Sequence, residues 1–320
     1  MKKNIIKDTG VEVTELSFGT SSLGSMPDTY GYEVPEQRAQ ETLKRFFQGP
    51  VNMLDTSRNY AMGESEKRIG MAIKENGGWP EKFVLSTKID RNMDTLVLDK
   101  KRTRESVEES LKALNVDSVD VLFLHDPEYV KDINDVTKKD GALDELFKIK
   151  EEGLAKAVGL AMGRIDIMFP ILRKWDFDVI INHNRFTLLN READEMYSYA
   201  YSKNISIFNA APYAGGVLAK GPSNFKKITY QDATEEKLAP AREIEKVCKK
   251  YNVEMGAAAL QFSMKDKRIT STICGVTSVQ SIEKNISWAE TDIPEEFWNE
   301  VLKLPYSTKD PESERTYTPG

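Results

Sequence analysis

The chain has 320 residues, 40% hydrophobic and 30% charged, with 45 basic and 51 acidic side chains and a formal net charge of −6. The acidic balance, spread without a basic block, argues against nucleic acid or an anionic membrane as the main partner, and no apolar run approaches the roughly 20 residues of a membrane span. Cys248 and Cys274 are the only cysteines and make neither a disulfide framework nor a zinc site; with no apolar leader segment at the N-terminus, a cytoplasmic setting is expected.

A β-hairpin is predicted over residues 3–6 and 11–14. Short apolar runs then recur along the chain: 16–20 (LSFGT), 51–56 (VNMLDT), 83–89 (FVLSTKI), 118–125 (SVDVLFLH), 156–162 (KAVGLAM), 178–184 (DVIINHN), 205–211 (ISIFNAA) and 270–276 (TSTICGV). Such runs, apolar on both faces, suit buried parallel strands. Between them the apolar spacing turns helical, at 35–48, 64–74, 103–114, 143–150, 165–174, 192–202, 234–250 and 279–288. Strands alternating with helices in this way predict one (β/α)8 TIM barrel domain over residues 1–320. A doubly wound sheet is disfavoured, because the turn Gly19-Thr20-Ser21-Ser22-Leu23-Gly24 carries two glycines and no G-x-G-x-x-G. Three segments, 126–140, 212–233 and 304–320, exceed simple connections. The first two follow the fourth and seventh strands, on the face where barrels build specificity. The polar stretch 307–315 is expected to be mobile.

Four polar residues sit at or just beyond predicted strand ends: Asp55, Tyr60, Lys88 and His125. Taken singly, a tyrosine is most often a packing residue, a lysine a solvated one and an aspartate a cap. Together on three successive strand ends they form a proton-transfer set. Tyr60 is the candidate acid, and a nearby ammonium, Lys88, is expected to lower its pKa. Asp55 is the anion that lets Lys88 be buried, and His125 can orient a substrate carbonyl by a hydrogen bond. Hydride has to come from a cofactor, since no side chain supplies it. His125 and His183 are the only histidines and no H-x-H pair exists, so no metal is expected.

These residues lie in stretches that resemble the aldo-keto reductase family: 54–70 (LDTSRNYAMGESEKRIG), 86–88 (STK), 118–128 (SVDVLFLHDPE), 186–189 (FTLL) and 274–285 (CGVTSVQSIEKN). The likeness runs in order from about residue 12 to 290. The Pro212-Tyr213-Ala214-Gly215-Gly216 loop and the HDPE stretch look most like the branch holding aldose (fucose or galactose) 1-dehydrogenases and pyridoxal dehydrogenase. The resemblance implies that Asp55, Tyr60, Lys88 and His125 match the family's catalytic tetrad. It also implies a nicotinamide cofactor, NAD or NADP, bound across the barrel mouth. Gly19, Thr20, Asp55, His183, Pro212, Tyr213, Gly216, Gly275, Thr277, Ser281, Lys284 and Asn285 are the positions it would touch. The chain departs from the family at Ala161-Met162, where Ser-Asn is usual, at His183, where Gln is usual, and at Ala210, where Tyr is usual.

Gly275 and Ser281 stand where NADP-preferring members carry a Lys or Arg, which inclines the expectation to NAD. The alternative is that Lys284 or a loop lysine (Lys220, Lys226, Lys227) takes the 2′-phosphate. Tyr30, Arg58, Asp126 and Tyr129 are candidate substrate contacts; loop packing, loop capping and a Pro127 turn are their plainer explanations. The expected function is interconversion of a carbonyl and an alcohol by hydride transfer, on an aldose or a similar small polar substrate. The alternatives are a broad-specificity NADPH-dependent aldehyde or ketone reductase and a non-catalytic nicotinamide-binding regulatory barrel. The sequence does not specify an oligomeric state.

Overall fold

A computed structural model describes residues 1–315. Eight parallel strands close into a barrel in chain order: β1 (Leu16–Gly19), β2 (Met53–Asp55), β3 (Val84–Ile89), β4 (Val119–His125), β5 (Ala155–Ala161), β6 (Val179–His183), β7 (Ser206–Ala210) and β8 (Ser271–Gly275). Each lies inside the run predicted for it or within one residue of it. Helices pack outside: α1 (Glu36–Phe46), α2 (Glu64–Glu75), α3 (Lys100–Leu114), α4 (Ala142–Glu151), α5 (Ile165–Leu172), α6 (Asp194–Ser202), α7 (Glu235–Lys250), α8 (Met255–Met264), α9 (Val279–Glu290) and α10 (Glu295–Val301). Among the described residues, no helix is long and apolar enough to cross a membrane.

Strand side chains alternate between two faces, and this period places the site. Met53, Val84, Val121, Phe123, Ala157, Val179, Phe208 and Ile273 fill the barrel interior. The hairpin of Lys3–Ile5 with Glu12–Thr14 stands at the strands' N-terminal end, and Ile6, Val11 and Val13 join the same interior cluster. Two or four residues on from these interior positions, the same inward face emerges at the strands' C-terminal end. It carries Asp55 on β2, Lys88 on β3, His125 on β4, Ala161 on β5, His183 on β6, Ala210 on β7, Gly275 on β8 and Gly19 on β1. All eight line one cleft. Register keeps them level, with Gly275 beside Gly19, Gly19 beside Asp55, and His125 beside Ala161.

Helices α8 and α10 lie beyond the eight predicted. Helix α8 is buried almost throughout, so its sequence has no polar face and no helical periodicity to read. The tail corrects a second expectation. Residues 307–315 are docked, not mobile. Arg191 N–H donates to the Ser307 carbonyl at 2.8 Å, and Arg185 pairs with Asp310 and Glu312 at 2.5 and 2.9 Å. The composition reads as solvated, but its carboxylates are matched by a guanidinium whose side chain is only 2% exposed. Residues 316–320 lie outside the described part.

Helices α2 and α3 cross closely at Gly70. A Cβ there would lie 2.0 Å from the Ala113 carbonyl oxygen, which backbone cannot easily yield. Gly70→Ala is expected to destabilise the fold by about 2 kcal/mol or more. Urea unfolding measures this, and an unchanged midpoint would show that the helices can part freely.

Candidate active site

The centre of the cleft is an ammonium with three bonds. Lys88 Nζ donates to Asp55 Oδ2 at 2.7 Å, to the Thr56 carbonyl at 2.6 Å and to Tyr60 Oη at 3.1 Å. That uses every proton a lysine has. Lys88 and Asp55 are almost fully buried, so each charge depends on the other. Ser86 Oγ donates to Asp55 Oδ1 at 2.9 Å and holds the carboxylate still.

Tyr60 stands on a 3-10 turn, Tyr60–Gly63, that bends back after β2. Burial first, then the charges of Asp55, Asp126 and Asp90, hold its phenol well above the ordinary value. This reverses the expected lowering by Lys88. The ammonium is in contact, but Asp55 balances its charge, and more carboxylates surround the phenol than the lysine can offset. In this pocket Tyr60 is a protonated phenol, able to donate.

His125 meets the Tyr60 ring edge-on, with centroids 5.9 Å apart. Its Nδ1 is 2.7 Å from Asp90 Oδ1, and its Nε2 is 3.5 Å from Asp126 Oδ1. Burial alone would lower the imidazole pKa; the charges of Asp126 and Asp90 reverse this and raise it. Asp90 was not singled out from the sequence. It lies two residues past Lys88, beyond the end of β3, where no periodicity marks it.

The cleft, of about 330 Å³, places the remaining candidates. Gly19, His183, Tyr213, Gly216, Gly275 and Thr277 line it, as do Tyr30 and Asp126. Thr20, Ser281 and Asn285 stand behind the lining. Thr20 Oγ1 donates to the Asp55 carbonyl at 3.0 Å, Ser281 Oγ accepts from Thr277 N–H at 2.9 Å, and Asn285 accepts from Tyr213 Oη at 2.5 Å. Pro212 is buried in the loop before Tyr213. Lys284 is not brought to the cleft; it pairs with Glu254 at 2.6 Å. Arg58 is turned away to Glu109, at 2.8 Å, where Arg102 completes the network. Tyr129 packs under Arg91, 5.4 Å from the guanidinium carbon, and does not line the cleft. The structure therefore does not support Arg58 and Tyr129 as substrate contacts. Cleft residues unforeseen in the sequence include Tyr230 and Arg315.

The lining also bears on the nicotinamide nucleotide. Gly275 offers an open edge, with nothing within 4 Å of where a Cβ would stand. Beyond it, helix α9 begins at a capping box of Ser278 and Ser281, and a helix start of this kind favours phosphate. Ala161, Met162, Ile181 and Ala210 give an apolar floor nearer Tyr60. A flat apolar seat running to a polar helix start fits an extended dinucleotide.

The docked tail closes one side. Glu312 contacts His183 at 3.2 Å, Arg185 at 2.9 Å and Arg315 at 2.7 Å, and Arg315 lies over Tyr230. Burial would raise the Glu312 pKa, but its contacts with His183, Arg185 and Arg315 hold it far below the usual carboxylate range. Because the folded pKa is depressed, this contribution is present above the unfolded pKa and is lost only as pH falls through the folded value. Glu312→Ala is expected to undock the tail and speed trypsin cleavage at Lys309 on the order of tenfold at neutral pH. Equal cleavage rates in the two proteins would show that Glu312 does not hold the tail.

A parallel barrel with this lysine–aspartate–tyrosine–histidine cluster at its strand ends has the form of a hydride-transfer oxidoreductase. The sequence pattern of the Aldo/keto reductase family matches residues 15–304, and the chain belongs to that family. It is thus an NAD(P)-dependent oxidoreductase acting on carbonyl and alcohol groups. L-galactose dehydrogenase of Arabidopsis thaliana is 29% identical over 88% of this chain and 85% of its own. Pyridoxal 4-dehydrogenase of Microbacterium luteolum is 25% identical over 93% and 95%. The solved holo form of aldo-keto reductase AKR11C1 from Bacillus halodurans covers 99% of this chain and 100% of its own. Its TM-score is 0.79, and at 21% identity it speaks for the fold.

Proposed function

We propose that this enzyme oxidises an aldose, or a similar small polar alcohol, with NAD. The observation that carries the chemistry is the triple contact of Lys88 with Asp55, Thr56 and Tyr60. A bound nicotinamide accepts or supplies hydride at the reacting carbon. Tyr60 exchanges the proton at the reacting oxygen. Lys88 holds the phenol oxygen in place, and Asp55 pairs with Lys88 at 2.7 Å in a buried setting. His125 fixes the direction in which the substrate oxygen points.

The substrate class rests on Asp126. Its Oδ1 is buried in the cleft wall and, among the described residues, accepts no hydrogen bond. Its close neighbour is His125 Nε2 at 3.5 Å, too far for a strong hydrogen bond, and a substrate hydroxyl would supply one. Tyr30, stacked on Tyr32 and edge-on to Tyr230, offers the broad aromatic wall that suits a sugar ring. The name of L-galactose dehydrogenase carries a substrate of this kind.

The preference for NAD rests on Lys284, which Glu254 already engages. The second reading is an NADPH-dependent aldehyde or ketone reductase of broad specificity, favoured by Lys220 and Lys227 in the cleft lining. Titration with NADH and NADPH, followed by nicotinamide fluorescence, separates the two. NADH is expected to bind more tightly; an NADPH preference of about tenfold, or 1.4 kcal/mol, would reverse the assignment.

Tyr60→Phe is expected to reduce turnover by about 10²–10⁴-fold and leave nucleotide affinity nearly unchanged. Steady-state rates and the same fluorescence titration measure both quantities. Undiminished turnover would mean that another group exchanges the proton.

A further inference from the structure

Asp90 is 1% exposed, and its bonds are fully assigned. Oδ2 accepts from Ser57 Oγ at 2.5 Å and from the Asn59 N–H at 2.9 Å. Oδ1 faces His125 Nδ1 at 2.7 Å. A carboxylate so served is an acceptor only, and the hydrogen on Nδ1 has to point at it. Burial works against the charged carboxylate, but His125, Ser57 and Arg91 bring the Asp90 pKa below its ordinary value.

We infer that Asp90 is a positioning residue that locks the His125 proton on Nδ1, so that Nε2 donates a hydrogen bond only when the ring is charged and accepts one when it is neutral. The usual freedom of a neutral imidazole to present N–H on either side is removed. Nε2 is the atom turned to the cleft, beside Asp126. A charged His125 can donate to a carbonyl oxygen; a neutral one can only receive the hydrogen of an alcohol. Its protonation then selects the direction of the reaction, reduction at lower pH and oxidation at higher pH. The tautomer follows from the hydrogen bonds alone, while the choice of direction rests on the proposed carbonyl–alcohol chemistry.

Other charged and polar groups also face the ring. Lys88 opposes protonation of His125 from the end of β3, while Asp126 and Asp90 favour it from two sides. Asp55 neutralises Lys88 at 2.7 Å, and Ser57 Oγ, 3.1 Å from Nδ1, already donates to Asp90. Tyr60 is held as a neutral phenol. Helix α3 contributes Arg102, which donates to the Asp90 carbonyl at 3.1 Å and not to its carboxylate. The balance leaves the carboxylates in control of the imidazole.

With only two histidines in the chain, ¹⁵N-histidine NMR can read this directly, using His183→Gln to assign the signals. Spectra of the full chain from about pH 5 to 10 are expected to show neutral His125 protonated on Nδ1 and bare on Nε2. In Asp90→Asn its pKa is expected to fall by about one unit or more, and in Asp90→Glu to recover. A neutral ring protonated on Nε2, or a pKa unmoved in Asp90→Asn, overturns the inference. If Asp90→Asn does not fold, the wild-type tautomer decides alone. The choice of direction is read from the pH profile for reduction of 4-nitrobenzaldehyde. Its alkaline limb should follow the His125 pKa in wild type and in Asp90→Glu; a limb that does not follow it refutes the selection of direction while leaving the tautomer standing. The NMR result does not depend on turnover, so a chain with the expected tautomer and no alcohol or carbonyl chemistry would refute the proposed function alone.

Discussion

The site depends on burying one ammonium. Taking the Lys88 charge out of water costs several kcal/mol unless an anion and further acceptors meet it. Asp55 and Thr56 meet it from the end of β2, and Tyr60 from the turn beyond. The pairing is possible because β2 and β3 run in the register that sets Asp55 beside Ser86. A slip of one residue would turn Lys88 outward among the helices and Asp55 away from it. The register of the barrel and the geometry of the cluster are thus one constraint. The tyrosine is positioned by the same ion pair that the strands need for a satisfied interior.

Around that pair the cleft divides its work by chemistry. Toward β8 and β1 the lining is glycine and small side chains leading to the start of α9, a surface with room for a flat ring and a phosphate. Toward β4 it is charged, with His125 set between Asp90 and Asp126. The loop after β7 and the tail supply the far wall, where Thr229 Oγ1 donates to the Pro311 carbonyl at 3.0 Å and Arg315 covers Tyr230. Segments distant in sequence are tied at the mouth by Arg185 and Glu312, both buried. The barrel therefore fixes the reacting groups, and the loops shape what can reach them.

The barrel and the strand-end positions of Asp55, Lys88 and His125 were legible because both follow from period and position. Apolar runs of strand length mark buried parallel strands, and a polar residue ending such a run faces the mouth. Features set by long-range partners were hidden. Helix α8 is apolar on all sides, so its period is invisible. The tail is acidic and polar, and its order comes from Arg185, more than a hundred residues away. Arg58 lies between two cluster residues, and only the position of Glu109 on α3 explains why it turns outward. Asp90 sits in a loop with no pattern to announce it, though it holds His125 as closely as Asp55 holds Lys88.

That parallel sets the charge of the pocket. Lys88 has Asp55, and His125 has Asp90, each at 2.7 Å. Two protonated bases with two carboxylates would leave Tyr60 in a balanced field. Asp126 is the carboxylate in excess, and it stands beside Nε2. Its charge helps keep protons on both Tyr60 and His125. A pocket loaded in this way holds its protons more tightly, so that they are present for delivery to a carbonyl oxygen, and it accepts protons only when some have been lost. An enzyme built on it reduces most easily in mild acid and needs a more alkaline medium to oxidise. The same residue that can recognise a hydroxyl therefore also shifts the pH at which that hydroxyl can react.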